Sequence, residues 1–246
     1  RQRQMCIRDS ERIYPASMTK IMTALLTIEN LPDLNETITV PEDIFEELTA
    51  QDASVAGFNP YEQPTVRDLL YGVLLPSGAD ACETLARAVG GSEEGFVAMM
   101  NQKAEELGLT NTHFENCTGL HNDNHYSTCR DIAVLMSECL KSDTFREIVT
   151  REVYTTEATA SHPEGITLYD TMLHRFTSYE MSTTLENGAV IEGGKTGFTD
   201  EAGQCLVSFA EYGGEEYILV TAEAMTDSGS AVDSIADAST VYGRLQ

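Results

Sequence analysis

Basic residues are scarce in this chain, and the scarcity limits the partners that it can have. Lys and Arg number 15 against 40 Asp and Glu, which gives a formal net charge of −25 over 246 residues. A chain of this charge repels phosphate backbones and anionic lipid headgroups. We therefore expect no nucleic-acid partner.

Long apolar runs are missing as well. No stretch approaches the roughly 18 consecutive apolar residues of a membrane-spanning helix, and no basic segment followed by an apolar one marks a secretory leader. The first ten residues, RQRQMCIRDS, show no periodicity and do not begin with Met. We interpret residues 1–10 as a non-native or truncated leader and residues 11–246 as the folded domain, whose 41% apolar content is enough for a core.

The chain also contains no closely spaced pair of cysteines. Because the six cysteines include no C-x-x-C pair, neither a redox motif nor a ribbon-type zinc site is predicted. Four potential metal ligands spaced by four would line one face of a continuous helix, namely Cys117, His121, His125 and Cys129. Gly119 and the Asn-Asp-Asn run at 122–124 disfavour that helix, so we expect neither a metal nor a cofactor.

Helical patterns dominate the first 150 residues. Pro15 suits the opening of a helix, and apolar residues then recur at i, i+3, i+4 and i+7 at Ile21, Ala24, Leu25 and Ile28. The patterns Thr65-x-x-Asp68 and Thr128-x-x-Asp131 predict two further helix starts by their capping residues.

Strand patterns follow beyond residue 150. Short β-like runs cover 152–160, 189–199, 204–210 and 217–222, with a hairpin turn at Gly213-Gly214. The last segment, 231–246, is predicted to form one more helix. A helix-rich stretch followed by a small antiparallel sheet indicates an α+β domain.

The first chemical signal is Ser17-Met-Thr-Lys20. In a helix, this spacing places a hydroxyl and an amine on one face, where the amine can take the hydroxyl proton and activate the oxygen as a nucleophile. The amine can act as a base only if its pKa falls, and burial beside a second cation would lower it. Lys195 is the candidate for that cation.

The second signal is Lys195-Thr196-Gly197, which follows Gly193-Gly194 in a predicted strand. Lys195 and Thr196 can hold a substrate carboxylate through charge-assisted hydrogen bonds, and glycine lets a substrate backbone approach closely. Each motif alone is weak. However, the chain has only four lysines, and two of them, Lys20 and Lys195, lie in these motifs.

A third element is Ser77-Gly78-Ala79. Pro76 interrupts the apolar run LLYGVLL, so Ser77 is predicted to lie at a turn between two helices. From there it could pass a proton between Lys20, Lys195 and a leaving amine.

Four segments together resemble a known family in order and spacing: YPASMTKIMTALL, LLYGVLLPSGADA, HFENCTGLHNDNHYST and GGKTGFTDEAGQCLVS. They are similar to the low-molecular-mass D-alanyl-D-alanine carboxypeptidases among the penicillin-binding proteins. The resemblance implies that residues 11–246 form a catalytic domain with the β-lactamase/transpeptidase-like α+β fold. In this fold a helical cluster packs on an antiparallel sheet.

The resemblance also implies a role for each motif residue. Ser17 would be the acylated nucleophile and Lys20 its general base, while Ser77 would shuttle protons. Lys195 and Thr196 would clamp the substrate carboxylate, with Gly197 beside them. The backbone N–H groups of Ser17 and Phe198 would form the oxyanion hole, in which one donor is typically worth about a hundred- to thousand-fold in rate.

The implied activity is removal of the terminal D-alanine from peptidoglycan stem peptides, with penicillins as inhibitors that acylate the same serine. The intact protein would act outside the cytoplasm, in the cell envelope, and would be membrane-associated from outside. A class A β-lactamase shares two of the motifs but needs a deacylating Glu, whereas residues 113–128 resemble the carboxypeptidases.

Two departures from the family pattern support an alternative. Ala79 stands where the family's second motif usually ends in Asn, and Asp80 cannot replace that amide because neighbouring helical residues point about 100° apart. The family's catalytic sheet also begins with two N-terminal strands that have no counterpart here, so we expect a sheet without them. The alternative is a catalytically weak or inactive module that binds peptidoglycan or β-lactams.

Overall fold

The computed structural model describes residues 9–224 and 233–246. Most of the predicted leader, residues 1–8, lies outside this part, as do residues 231 and 232 at the start of the predicted last helix. The helices are α1 (Lys20–Asn30), α2 (Ile44–Ala50), α3 (Val66–Leu74), α4 (Ala79–Gly90), α5 (Glu93–Glu106), α6 (Cys129–Cys139), α7 (Asp143–Val149), α8 (Leu173–Ser178) and α9 (Asp233–Tyr242). The strands are β1 (Val153–Thr155), β2 (Thr167–Tyr169), β3 (Val190–Thr199), β4 (Gly203–Tyr212) and β5 (Glu215–Ala224).

Side-chain caps start the helices where the sequence predicts them. The Thr65 hydroxyl accepts a hydrogen bond from Asp68 N at 3.1 Å, and the Asp68 carboxylate accepts one from Thr65 N at 3.3 Å. This reciprocal pair is the predicted capping box of α3. At α6, the Thr128 hydroxyl accepts from Asp131 N at 3.1 Å. Both predicted helix starts are confirmed.

Helix α1 lies at the centre of the helical cluster. The sequence predicts one apolar face, but every residue from Lys20 to Thr27 is buried. The threonine hydroxyls within this stretch donate hydrogen bonds to backbone carbonyl groups. Thr23 donates to Cys117 O at 2.6 Å, and Thr27 donates to Thr23 O at 2.8 Å. A helix that is buried all round must be enclosed by other elements, so α1 holds its N-terminal end in a fixed position.

The main sheet of the described residues is antiparallel, with the order β3-β4-β5. The predicted hairpin turn is confirmed, because Gly213 and Gly214 adopt φ values of +63° and +80° between β4 and β5. The run predicted at 152–160 forms a strand only at its start, where Val153–Thr155 pairs with Thr167–Tyr169 in a separate small sheet. Helices and antiparallel sheets in one chain confirm the α+β class.

Three short helices, α2, α7 and α8, were not predicted because six or seven residues are too few to show a helical period. None of the helices in the two described ranges combines the length and the apolarity needed to cross a bilayer.

Candidate active site

The turn before α1 brings Ser17 and Lys20 together. Residues Ala16–Thr19 form a 3-10 helix, in which side chains three positions apart eclipse each other. Lys20 Nζ consequently lies 3.1 Å from Ser17 Oγ and also donates to Thr118 O at 2.6 Å. Ser17 is half-buried, whereas Lys20 is only 3% exposed. The hydroxyl is thus accessible from outside, and the amine lies beneath it.

Burial is the main cause that lowers the pKa of Lys20 below its usual range, and Cys82, Cys117 and Asp80 oppose the shift. The predicted effect of burial is therefore confirmed. The two lysines also influence each other: burial first, and then the positive charge of Lys20, lower the pKa of Lys195 to about 7.

Strand β3 passes directly over the turn that carries Ser17 at Gly197. A Cβ at this position would lie 3.0 Å from Ser17 N and 3.1 Å from Pro15 O, so a larger residue would push the strand and the turn apart. The next residue, Phe198, is 62% exposed. Its side chain faces solvent, as expected if only its backbone takes part.

Ser77 lies at the predicted turn between α3 and α4 in a strained conformation. Its φ is +67°, a region that costs a non-glycine residue about 1–3 kcal/mol. Gly78 N donates to Gly72 O at 2.8 Å and Ala79 N donates to Ser54 O at 2.7 Å, which holds the turn in place. The Ser77 hydroxyl is buried and has no hydrogen-bond partner within the described ranges. Buried polar groups without partners are rare and require an explanation.

Lys195 and Thr196 lie side by side on β3 and are both buried. Lys195 Nζ donates to Thr196 O at 3.2 Å. The Thr196 hydroxyl is 2.6 Å from the hydroxyl of Thr171, a residue that sequence analysis did not single out. An isolated threonine between a short strand and a short helix carries no motif, so no local pattern signals its position.

Comparison with known proteins identifies the family. The sequence profile of the D-alanyl-D-alanine carboxypeptidases, peptidase family S11, matches residues 8–226. The chain belongs to this family.

Two relatives illustrate the extent of the similarity. The chain is 36% identical over 218 residues to D-alanyl-D-alanine carboxypeptidase DacF of Bacillus subtilis, a match that covers 88% of this chain and 53% of that protein. It is 37% identical over 210 residues to the D-alanyl-D-alanine carboxypeptidase of Streptomyces sp. strain K15, covering 82% and 69%. The chain thus spans about half the length of the first relative.

Solved structures confirm the predicted fold. The crystal structure of the Streptomyces K15 DD-transpeptidase superposes with a TM-score of 0.80 at 32% identity, covering 96% of this chain and 89% of that one. The D-alanyl-D-alanine carboxypeptidase structure from Mycobacterium tuberculosis H37Rv gives a TM-score of 0.77 at 27% identity. The β-lactamase/transpeptidase-like α+β architecture of this family is therefore the fold of the chain.

Asp80 has a structural role, in which its carboxylate binds backbone N–H groups of a distant segment. Its carboxylate accepts hydrogen bonds from Ala56 N at 2.7 Å, Gly57 N at 3.0 Å and Phe58 N at 3.1 Å. These bonds fix the segment before α3 against the start of α4. The carboxylate is therefore not available to replace the amide that Ala79 lacks.

The four potential metal ligands considered from the sequence do not form a common metal-binding group within the described ranges. His125 Nε2 is 2.8 Å from the Thr19 hydroxyl, and His125 Nδ1 accepts from Glu115 N at 3.2 Å. Burial lowers the pKa of His125 to about 3, so its ring is neutral. Cys117 lies instead beside two carboxylates, with its thiol donating to Glu83 Oε1 at 3.5 Å and its backbone N donating to Glu93 Oε1 at 3.2 Å.

Glu83 should make the stability of this carboxypeptidase family member depend on pH. Burial, and next the neighbouring Glu93, raise the pKa of Glu83 to about 8. The folded chain therefore keeps a proton that the unfolded chain releases near pH 4.5. The stabilisation is complete below the unfolded pKa and is lost as the pH rises through about 8.

Substitution Glu83→Gln keeps the size and removes the titration. At pH 8.5 we expect the variant to be more stable than the unsubstituted chain by up to about 5 kcal/mol, which is the full pKa difference between 4.5 and about 8 at about 1.4 kcal/mol per unit. Its Tm should therefore be higher by several degrees. At pH 4.5 the two Tm values should agree. Thermal unfolding followed by circular dichroism measures both, and Glu105→Gln, at an exposed position of α5, is the control. Parallel Tm profiles for Glu83→Gln and the unsubstituted chain would contradict the assignment.

Proposed function

We propose that residues 11–246 form the catalytic domain of a serine-type D-alanyl-D-alanine carboxypeptidase. Its substrate would be the D-Ala-D-Ala end of peptidoglycan stem peptides, and β-lactams would be its inhibitors. The observation that carries the proposal is the contact of 3.1 Å between Ser17 Oγ and the buried amine of Lys20, whose pKa is lowered. A hydroxyl next to a desolvated amine is an activated nucleophile.

In the acylation step, Lys20 takes the proton of Ser17 Oγ, and the oxygen attacks the carbonyl carbon of the penultimate D-alanine. The tetrahedral oxyanion would be held by the backbone N–H groups of Ser17 and Phe198. The close packing at Gly197 supports this arrangement because it brings β3 against the nucleophile turn. Donors held in place before the reaction need no reorganisation as the charge develops.

Collapse of the intermediate breaks the peptide bond, and the leaving amine of the terminal D-alanine must receive a proton. Ser77 is our candidate for the relay, because its buried hydroxyl has no partner within the described ranges and is thus available to a substrate. The remaining ester on Ser17 is hydrolysed by water, which restores the hydroxyl. Lys195 and Thr196 would hold the terminal carboxylate through charge and a hydroxyl donor.

The alternative is a binding module that acylates slowly or not at all, and the observation that favours it is Ala79. This side chain is buried at 2% exposure and offers no hydrogen bond, and Asp80 is occupied elsewhere. One missing hydrogen bond of roughly 0.5–1.5 kcal/mol would slow the chemistry by about threefold to tenfold. We therefore favour a weakened enzyme over an inactive one.

Turnover separates the two functions. We expect the purified chain to release many equivalents of D-alanine from a peptide ending in D-Ala-D-Ala, measured with a D-amino-acid oxidase assay. The same peptide ending in L-Ala-L-Ala is the control and should stay intact, which is followed by mass spectrometry because the oxidase does not detect L-alanine. One equivalent or less of D-alanine from folded protein, together with slow labelling by penicillin, would indicate the binding module. No reaction with either reagent would refute both functions.

We also propose where the intact protein works. Its proposed substrate is a cell-wall peptide, so the protein would act outside the cytoplasm, in the cell envelope, and would be associated with the membrane from outside.

A further inference from the structure

Thr171 connects two of the three motifs. It lies in the turn between β2 and α8, and its backbone N donates to Leu75 O at 3.1 Å, two residues before Ser77. Its side-chain hydroxyl lies 2.6 Å from the hydroxyl of Thr196. One residue therefore contacts both the turn that carries Ser77 and the strand that carries Lys195.

The neighbours of Thr171 hold it in place. The Asp170 carboxylate accepts hydrogen bonds from Met172 N at 2.8 Å and Leu173 N at 2.6 Å, and Asp170 N donates to Glu152 O at 2.8 Å. Met172 is fully buried against β3, where a Cβ on Gly194 would lie 2.9 Å from its sulfur. The position of the Thr171 hydroxyl is thus determined from both sides of the residue.

The hydrogen-bond chemistry of the two threonines gives their contact a direction once a carboxylate is bound. Each hydroxyl has one proton to donate, and a carboxylate can only accept. If Thr196 donates to the substrate, its oxygen must be the acceptor in the bond with Thr171. Thr171 then donates, and a donated hydrogen bond polarises the Thr196 hydroxyl and strengthens its own donation.

We propose that Thr171 is a positioning residue for carboxylate recognition, which donates to Thr196 Oγ1 and thereby directs the Thr196 proton to the terminal carboxylate of the substrate. The inference rests on the proposed function, because it assigns the carboxylate to Thr196. It extends that function to a residue outside the three motifs. Thr171 is half-buried and Thr196 is 7% exposed, so the pair lies at the edge of the core, where a ligand can approach.

If the contact between the two threonines were purely structural, a different result would be expected. A structural contact would affect every ligand alike, whereas a positioning residue affects most strongly the ligands that accept from Thr196 with a negatively charged oxygen, because hydrogen bonds to an ionised acceptor are about twice as strong. The discriminating measurement compares a peptide ending in D-Ala-D-Ala with its C-terminal amide, which has the same shape and no negative charge.

Equilibrium binding is measured in the Ser17→Ala background by NMR titration, so that the result does not depend on turnover. We expect that chain to bind the acid more tightly than the amide. Adding Thr171→Val, which keeps the shape and removes the hydroxyl, should weaken binding of the acid about tenfold and change binding of the amide less than twofold. Thr171→Ser should restore the acid affinity to within about threefold.

The matched control is Thr155→Val. Thr155 is exposed, and its hydroxyl lies 3.3 Å from that of Thr167 in the small sheet, so this substitution also breaks a contact between two threonines. It should leave both affinities unchanged. Equal weakening of acid and amide by Thr171→Val would overturn the inference, as would the absence of any preference for the acid when Thr171 is intact. Failure of the proposed function is recognised separately, because the unsubstituted chain would then release no D-alanine.

Discussion

Substitution Ser17→Ala is expected to abolish covalent labelling of the chain by a fluorescent penicillin. The acyl-enzyme needs an oxygen at this position, and alanine provides none. Loss of a catalytic nucleophile lowers activity by about 10⁶-fold in a well-studied serine protease. Here we expect labelling to fall below detection, that is, by at least about 10⁴-fold. Mass spectrometry should place the adduct of the unsubstituted chain on the peptide that contains Ser17.

A matched serine variant controls for non-specific labelling. Ser178 is the last residue of α8 and is exposed, so Ser178→Ala should be labelled like the unsubstituted chain. Circular dichroism should show that Ser17→Ala remains folded, because this side chain is half-buried and lies outside the core. If Ser17→Ala is labelled at the original rate, another nucleophile carries the reaction and the proposed mechanism is wrong.

Substitution Lys20→Met should separate activity from stability. Removal of a general base typically costs about 10²–10⁴-fold, so the acylation rate should fall by that factor. The loss of the hydrogen bond to Thr118 O costs roughly 0.5–1.5 kcal/mol. Burial disfavours the charged form of the Lys20 amine, and an apolar side chain at this position removes that desolvation penalty, which is typically several kcal/mol for a buried charge. Because the desolvation penalty is larger than the loss of the hydrogen bond, the Tm of the variant should equal or exceed that of the unsubstituted chain.

Stopped-flow acylation with a chromogenic cephalosporin and a thermal melt measure the two effects of Lys20→Met. The control is Lys141→Met, because Lys141 has a side chain that is 69% exposed and pairs with Glu138 on the surface. Its acylation rate should remain within about twofold of the original. A Lys20→Met chain that acylates at the original rate would show that Lys20 is not the base. A large loss of Tm would show that the amine stabilises the fold.

The features predicted correctly from the sequence are local ones. The capping pairs at Thr65 and Thr128 need only neighbours three residues away, and the break at Pro76 follows from its ring. The contact between Ser17 and Lys20 is local as well, because a separation of three residues brings the two side chains together in the first helical turn. The resemblance to the carboxypeptidase family was also carried by short segments, and the family match over residues 8–226 confirms it.

The features that were missed depend on contacts between distant segments. The contact of Thr171 with Thr196 requires the turn before α8 to dock on β3, and no spacing pattern encodes it. The complete burial of α1 was also missed, since a pattern that shows one apolar face cannot reveal how many elements enclose it. The bonds of Asp80 to three backbone N–H groups became visible only when the segment at 56–58 folded against α4.

The sequence by itself determined the family, the α+β class and the identity of the residues that we propose for catalysis, because each of these depends on residue types at short spacings. Only the tertiary structure decided that Lys20 is buried and that its pKa falls. It also decided that β3 lies against Ser17 and that the Ser77 hydroxyl is left without a partner within the described ranges. The physical reason is that desolvation and hydrogen bonding depend on every atom around a group, and most of those atoms come from distant parts of the chain.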